Sequence, residues 1–303
     1  MRLITFTPKT APTSAPRAGA LLPGDDSVLN FSVAVDASAD VPLLSWFDLD
    51  DEWLAKVRHI HDALVRDTAR AETLPRGSVL RRGDVLIGPP VPRPGKLICV
   101  GLNYKDHAAE SGMDVPTSPI TFSKYGTSVT GPDQPIRLPA VSTQVDYEAE
   151  LAFVVGRRAR HVPVAKAFDY VLGYMNLNDV SARDLQFADK QWQRGKSCDT
   201  FAPMGPFIVT RDAIGDPHSL RIRCRVNGQT LQDSNTNQLV FGVDALLAFL
   251  SETVTLEPGD VVATGTPPGV GFARKPPIFL KAGDVVEIEV DGLGVLSNPV
   301  IAE

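Results

Sequence analysis

The chain has 303 residues, 43% hydrophobic and 22% charged, with a formal net charge of -6. That is a globular composition long enough for a sizeable core and one or two domains. The acidic balance argues against nucleic acid or an anionic membrane as the main partner, and no apolar run approaches a membrane span.

The start, Met1–Phe6, lacks the apolar segment of a signal peptide. Cys99, Cys198 and Cys224 are odd in number and widely spaced, as expected of reduced thiols in a cytoplasmic protein. Residues 1–94 read as a small N-terminal α/β accessory domain. Arg2–Phe6 is a short strand, and residues 8–17, with three prolines, are a loop. Asp50 and Asp51 are candidate caps for a helix in which Leu54, Val57, Ile60 and Leu64 recur at helical spacing. His59 and His61 lie in that helix without further acidic partners to complete a site, and read as non-ligands. Val85–Ile87 is another strand, and the proline-rich stretch 89–94 is a stiff linker.

The second unit, 95–303, opens on the strand Lys96–Gly101. A helical turn over 105–110 then puts His107 and Glu110 three residues apart on one side. A carboxylate beside an imidazole orients it and raises its basicity, as a general base requires; a charged surface turn is the plain alternative. Gly112 and Pro116 flank the segment and would let it close as a lid. Ile120–Lys124 is a strand carrying a lysine. In Asp146-Tyr147-Glu148-Ala149-Glu150, alternation along a strand points Glu148 and Glu150 the same way, and Asp179 ends the following strand, Val171–Asn178. Three carboxylates without nearby Cys or His make a hard, oxygen-only site suited to Mg, Mn or Ca. Two exposed glutamates on a solvated edge strand are the bland reading.

Ala165–Tyr170 is a brief helix, and Ser181 a candidate cap for another. Residues 189–204 look irregular, with Lys196 partly buried. Asn227-Gly228 is the strongest hairpin signal. Val243–Leu250 is an amphipathic helix with Val243, Leu246, Leu247 and Leu250 inward. The Gly-rich turn Thr264–Gly271 lacks G-K-[ST] and a following helix, so it is neither a P-loop nor a dinucleotide fingerprint. Val285–Val290 is a strand, and Asp291-Gly292 turns it back into Leu293–Leu296. Strands dominate without a βαβ rhythm. The expected class is α+β, mostly β: a largely antiparallel roll or sandwich.

Val100-Gly101-Leu102-Asn103-Tyr104 with His107 and Glu110, the acidic strand, Asn178-Asp179-Val180-Ser181-Ala182-Arg183-Asp184, Gly195-Lys196-Ser197 and Thr264-Gly265-Thr266-Pro267 occur in one order. In that order they resemble the fumarylacetoacetate hydrolase family over roughly residues 95–300. The resemblance implies a β-roll of mixed sheets, usually a homodimer. It implies Mg2+ or Mn2+ on Glu148, Glu150 and Asp179, a His107–Glu110 dyad on a closing lid, and a catalytic Lys196. Arg183, Gln186 and Thr266 match positions that hold a small 2-oxo or 2,4-dioxo acid. The first expectation is hydrolysis of a C–C bond in an acylpyruvate-like acid. Oxaloacetate decarboxylation and isomerisation of a 2-hydroxy-dienoate diacid follow, and a non-catalytic metal- or metabolite-binding protein is the reading of another class.

Overall fold

Every side chain of the strand Ala149–Val155 is buried, and the largest sheet is built outward from it. Leu151, Phe153 and Val155 enter one hydrophobic core, while Ala152 and Val154 enter a second on the opposite face. Cover on both faces explains why this stretch runs apolar instead of alternating. The strand pairs antiparallel with Val171–Asn178 on one side and Val261–Ala263 on the other. It is interior to the sheet, which overturns the edge-strand reading.

The computed structural model describes residues 1–35, 51–188 and 191–303. Among them, twelve strands form the large sheet. Its main path runs from Val79–Arg81 through Ser27–Asn30, Arg17–Leu21, Arg2–Pro8, Ala202–Thr210, Val171–Asn178, Ala149–Val155, Val261–Ala263 and Leu97–Gly101 to Ile120–Ser123. A five-stranded sheet orders Gln229–Asn235, Arg221–Val226, Val285–Val290, Val295–Ala302 and Ile136–Leu138. Pairing is antiparallel except at three places: Val129–Thr130 with Ala202–Thr210, Leu97–Gly101 with Val261–Ala263, and Ile136–Leu138 with Val295–Ala302. The mostly β, mixed-sheet expectation agrees with this arrangement. The N-terminal strand Arg2–Pro8 is bonded to Ala202–Thr210, with Leu3 opposite Ile208.

Local signals place most elements. The helix Asp51–Arg66 buries Val57 and Leu64; the candidate cap Asp50 lies outside the described residues. Asn227 and Gly228 both have positive φ (52° and 78°) and join Arg221–Val226 to Gln229–Asn235, as a two-residue hairpin turn demands. Val243, Leu246, Leu247 and Leu250 are all buried on the helix Val243–Thr253.

Four expectations need correction. Ser181 caps no helix: it lies in the short strand Ser181–Ala182 and its hydroxyl donates to the Asp179 carbonyl at 2.9 Å. The described part of 189–204 is not irregular throughout, since Gln193–Lys196 is a helical turn and a long strand starts at Ala202. The last strand begins at Val295, after a turn in which Gly292 and Gly294 both have positive φ. Glu148 precedes the strand it was expected to open, which begins at Ala149. No helix among the described residues is long and apolar enough to cross a membrane.

Candidate active site

The register Ala149↔Asn178 brings the start of one strand beside the end of its neighbour. The Asp179 amide donates to the Glu148 carbonyl at 2.9 Å, and the Glu148 amide to Asn178 Oδ1 at 3.0 Å. Those bonds make Glu148 and Asp179 opposite numbers across the sheet end. With Glu150 they offer three carboxylate oxygens within 4.8 Å of one another, all on buried residues.

Such a cluster holds only if positive charge meets it. Lys196 Nζ donates to Glu148 Oε2 at 2.7 Å and to Asp179 Oδ2 at 2.8 Å. It is fully enclosed, not partly buried as the sequence suggests; its side chain is 3% exposed. Arg183 reaches Glu148 Oε1 at 2.7 Å, Asp146 Oδ2 through Nε at 2.9 Å, and Gln186 Oε1 at 3.0 Å. Lys124, which sequence reasoning noticed only as a lysine on a strand, pairs its ammonium with Asp179 Oδ1 and donates to the Val180 carbonyl at 3.0 Å. A lysine directly after a strand is the signal that could have found it.

These cations act unequally. Burial opposes ionisation of Glu148, but Lys196 and Arg183 outweigh it and bring the carboxyl down to about 2. Burial pushes the Glu150 carboxyl well above the usual range, and the negative charges of Asp179 and Glu148 push it further. Burial also disfavours the Lys196 ammonium, yet the Asp179 and Glu148 carboxylates hold it charged, above its ordinary range. Glu150 has no ion pair of its own among the described residues; Gly265 N donates to its Oε2 at 2.8 Å. An all-oxygen, buried donor set with one carboxylate short of positive charge fits a hard divalent cation. Glu148, Glu150 and Asp179 could hold one.

Two glycines make the geometry possible. Gly265 has φ +102°, a conformation disfavoured for side-chain-bearing residues. It turns its amide toward Glu150. At Gly195 a Cβ would lie 2.4 Å from the Gln186 amide nitrogen and 2.6 Å from the Ala182 carbonyl. Its absence lets the Gln193–Lys196 turn seat on Arg183–Gln186 and deliver Lys196. The turn Thr264–Gly271 is tied down by Asn103, whose side chain bonds the Thr264 and Phe241 carbonyls at 2.8 and 3.0 Å. Asp146 accepts the amides of Gly271 and Phe272 at 2.8 and 2.9 Å, linking the same turn to Arg183.

His107 and Glu110 lie on the helix Lys105–Ser111, with His107 Nδ1 3.3 Å from Glu110 Oε2. The Glu110 carboxylate also accepts the Gly269 amide at 3.1 Å. That bond fastens the helix Lys105–Ser111 to the Gly-rich turn. Thr266 donates to the Ala149 carbonyl at 2.9 Å and accepts from Gln232 at 2.8 Å. Gln186 spends its carbonyl oxygen on Arg183, which leaves its amide nitrogen as the donor. All nine predicted site residues line one cavity of about 580 Å3.

A family model described as fumarylacetoacetate (FAA) hydrolase C-terminal matches residues 96–301. A Xenopus laevis protein named oxaloacetate tautomerase fahd2, mitochondrial, is 45% identical over 303 residues, covering 99% of this chain and 90% of that protein. Among solved structures, a fumarylacetoacetate hydrolase from Exiguobacterium antarcticum superposes with TM-score 0.79 at 34% identity, covering both chains completely. A 5-carboxymethyl-2-hydroxymuconate delta-isomerase from Mycobacterium smegmatis does so with TM-score 0.75 at 34% identity, covering 100% of this chain and 99% of that one. A family match over two thirds of the chain, spanning the carboxylates and cations just described, settles the kinship: this chain belongs to the fumarylacetoacetate hydrolase family.

Proposed function

We propose that the protein is a divalent-metal-dependent enzyme that interconverts the keto and enol forms of a 2-oxo acid carrying a C3 proton. The observation that carries this reading is the convergence, in one cavity, of a carboxylate cluster and an imidazole–carboxylate pair. The similarity to an oxaloacetate tautomerase along nearly the whole chain supports it.

Glu148, Glu150 and Asp179 would hold Mg2+ or Mn2+. When bound, the cation supplies Lewis acidity at the 2-oxo oxygen. His107, held by Glu110, takes a proton from C3, and the C3–H electron pair becomes the C2–C3 double bond. The former carbonyl oxygen gains negative charge and then takes a proton given up by the His107 imidazolium, directly or through water, which returns His107 to its starting state and leaves the step an isomerisation. Lys196 places a fixed positive charge where that oxygen changes charge. Gln186 borders the same space, and its amide nitrogen fits hydrogen bonding to the substrate carboxylate, while the Thr266 hydroxyl, already donating to Ala149, shapes the wall.

A second reading is hydrolysis of a C–C bond in a 2,4-dioxo acid, with His107 deprotonating water instead of C3. The complete superposition on a fumarylacetoacetate hydrolase favours keeping it. One assay separates the two. Purified protein with Mg2+ should speed decay of the ultraviolet absorbance of enol-oxaloacetate, with no matching release of pyruvate and little cleavage of acetylpyruvate. EDTA should abolish the effect. Fast acetylpyruvate cleavage with slow enol decay would put hydrolysis first.

A further inference from the structure

Above the charged floor, the cavity changes character. Its walls include Met113, Ile120, Phe122, Phe187, Trp192 and Phe272. Four of these are well exposed, Met113 at 56%, Phe187 at 54%, Phe272 at 46% and Ile120 at 41%. Large apolar side chains gathered at one opening mark a binding surface, not chance exposure. The rings are also organised. Phe187 and Phe272 lie 5.2 Å apart between centroids, and Phe122 meets Trp192 edge-on at 5.6 Å.

Among the described residues, charge is missing where a second carboxylate would need it. Among the described lining residues the cations are Arg183 and Lys196, with His107 when protonated. Arg183 and Lys196 are already bound to Asp146, Glu148 and Asp179. A diacid fixed by one carboxylate on the floor would turn its other carboxylate toward an apolar wall, which disfavours binding. The volume of about 580 Å3 also exceeds what a four-carbon acid fills; sites of about 300–1,000 Å3 usually take larger ligands.

We infer that the preferred substrate is a 2-oxo acid whose C3 substituent is apolar, best aromatic, seated against Phe187, Phe272, Phe122 and Trp192. This rests on the proposed chemistry at C2 and C3 and names the tail that the chemistry serves. The rim is continuous with the carboxylate cavity, which points to a small-molecule tail as its occupant.

The test uses two 2-oxo acids that have no C3 proton and cannot tautomerise: benzoylformate, with a phenyl group, and ketomalonate, with a second carboxylate. Calorimetry of the Mg2+-loaded protein should show benzoylformate binding at least about tenfold tighter. In Phe187→Ala/Phe272→Ala that ratio should fall by about tenfold. Both side chains are half exposed, so their truncation does not open the core. Phe187→Arg should swing the ratio toward ketomalonate. In parallel, kcat/KM for enol-phenylpyruvate should exceed that for enol-oxaloacetate in the wild type. If neither enol is turned over, the proposed activity falls while the binding ratio still decides the tail. Equal binding of the two probes, binding of neither, or a ratio unmoved by the variants would overturn the inference. An unmoved ratio would assign the rim to a macromolecular contact such as a second copy of this chain.

Discussion

The floor and the mouth of the cavity differ in how they are stabilised. On the floor, Lys124, Lys196 and Arg183 pair with Asp146, Glu148 and Asp179 in a buried network. Each charge there is costly alone and tolerable only through its partners. At the mouth, exposed Met113, Ile120, Phe187 and Phe272 hold no polar debt and contribute little to the core. The difference teaches that the floor's geometry is over-determined by its own ion pairs, whereas the mouth is free to be shaped for a ligand. Variation in specificity within such a site belongs at the mouth, and variation in chemistry at the floor.

The most severe break of this contrast is loss of a carboxylate from the floor. Calorimetry is expected to show one Mg2+ or Mn2+ site in the wild type and none in Glu150→Ala, and only the wild type should melt higher with added metal. Metal binding of wild-type strength in that variant would mean that the ligands lie elsewhere. Next comes His107→Ala, which removes the proposed base while leaving the floor intact. It should lower kcat by about 10²–10⁴-fold, with metal affinity unchanged; a loss of only a few-fold would dismiss His107 as the base.

Lys124→Met sharpens the stability side. It leaves Asp179 Oδ1 without its ammonium, and breaking a buried pair in this way costs about 3 kcal/mol. The melting temperature should drop clearly, and added Mg2+ should restore part of it by binding the native state. An unchanged melt would show that Lys196 alone satisfies Asp179. The smallest expected effect is at the mouth. Phe187→Ala should change stability by no more than about 0.5 kcal/mol, as exposed substitutions usually do. A loss as large as that of Lys124→Met would show that the rim is structural, and the contrast between the two regions would fail.

Much of the fold is legible residue by residue. Alternation and apolar runs locate the strands, and the spacing of Val243, Leu246, Leu247 and Leu250 locates a helix face. Asn227-Gly228 locates a hairpin because both positions need positive φ. Elsewhere local patterns mislead. Ser181 carries the residue type of a helix cap, but its strand pairing with Asp146 decides its conformation. Glu148 fits the alternation of a strand, yet the ladder starts one residue later because the chain there bonds to the Asn178 side chain instead.

What the sequence by itself determined are the local facts of the site: the Glu148–Glu150 spacing, the carboxylate ending the next strand, and His107 three residues from Glu110 on one helix. Each depends on the periods of strand and helix, which a short stretch of chain sets alone. Only the tertiary structure decided the rest. Lys124 reaches Asp179 across 55 residues of sequence and Glu110 meets the Gly269 amide across 159. Phe122, Phe187 with Trp192, and Phe272 come from three separate stretches of chain to line one cavity. Those meetings follow from sheet order and register, which are long-range choices made by the whole core, so no local pattern in the chain encodes them.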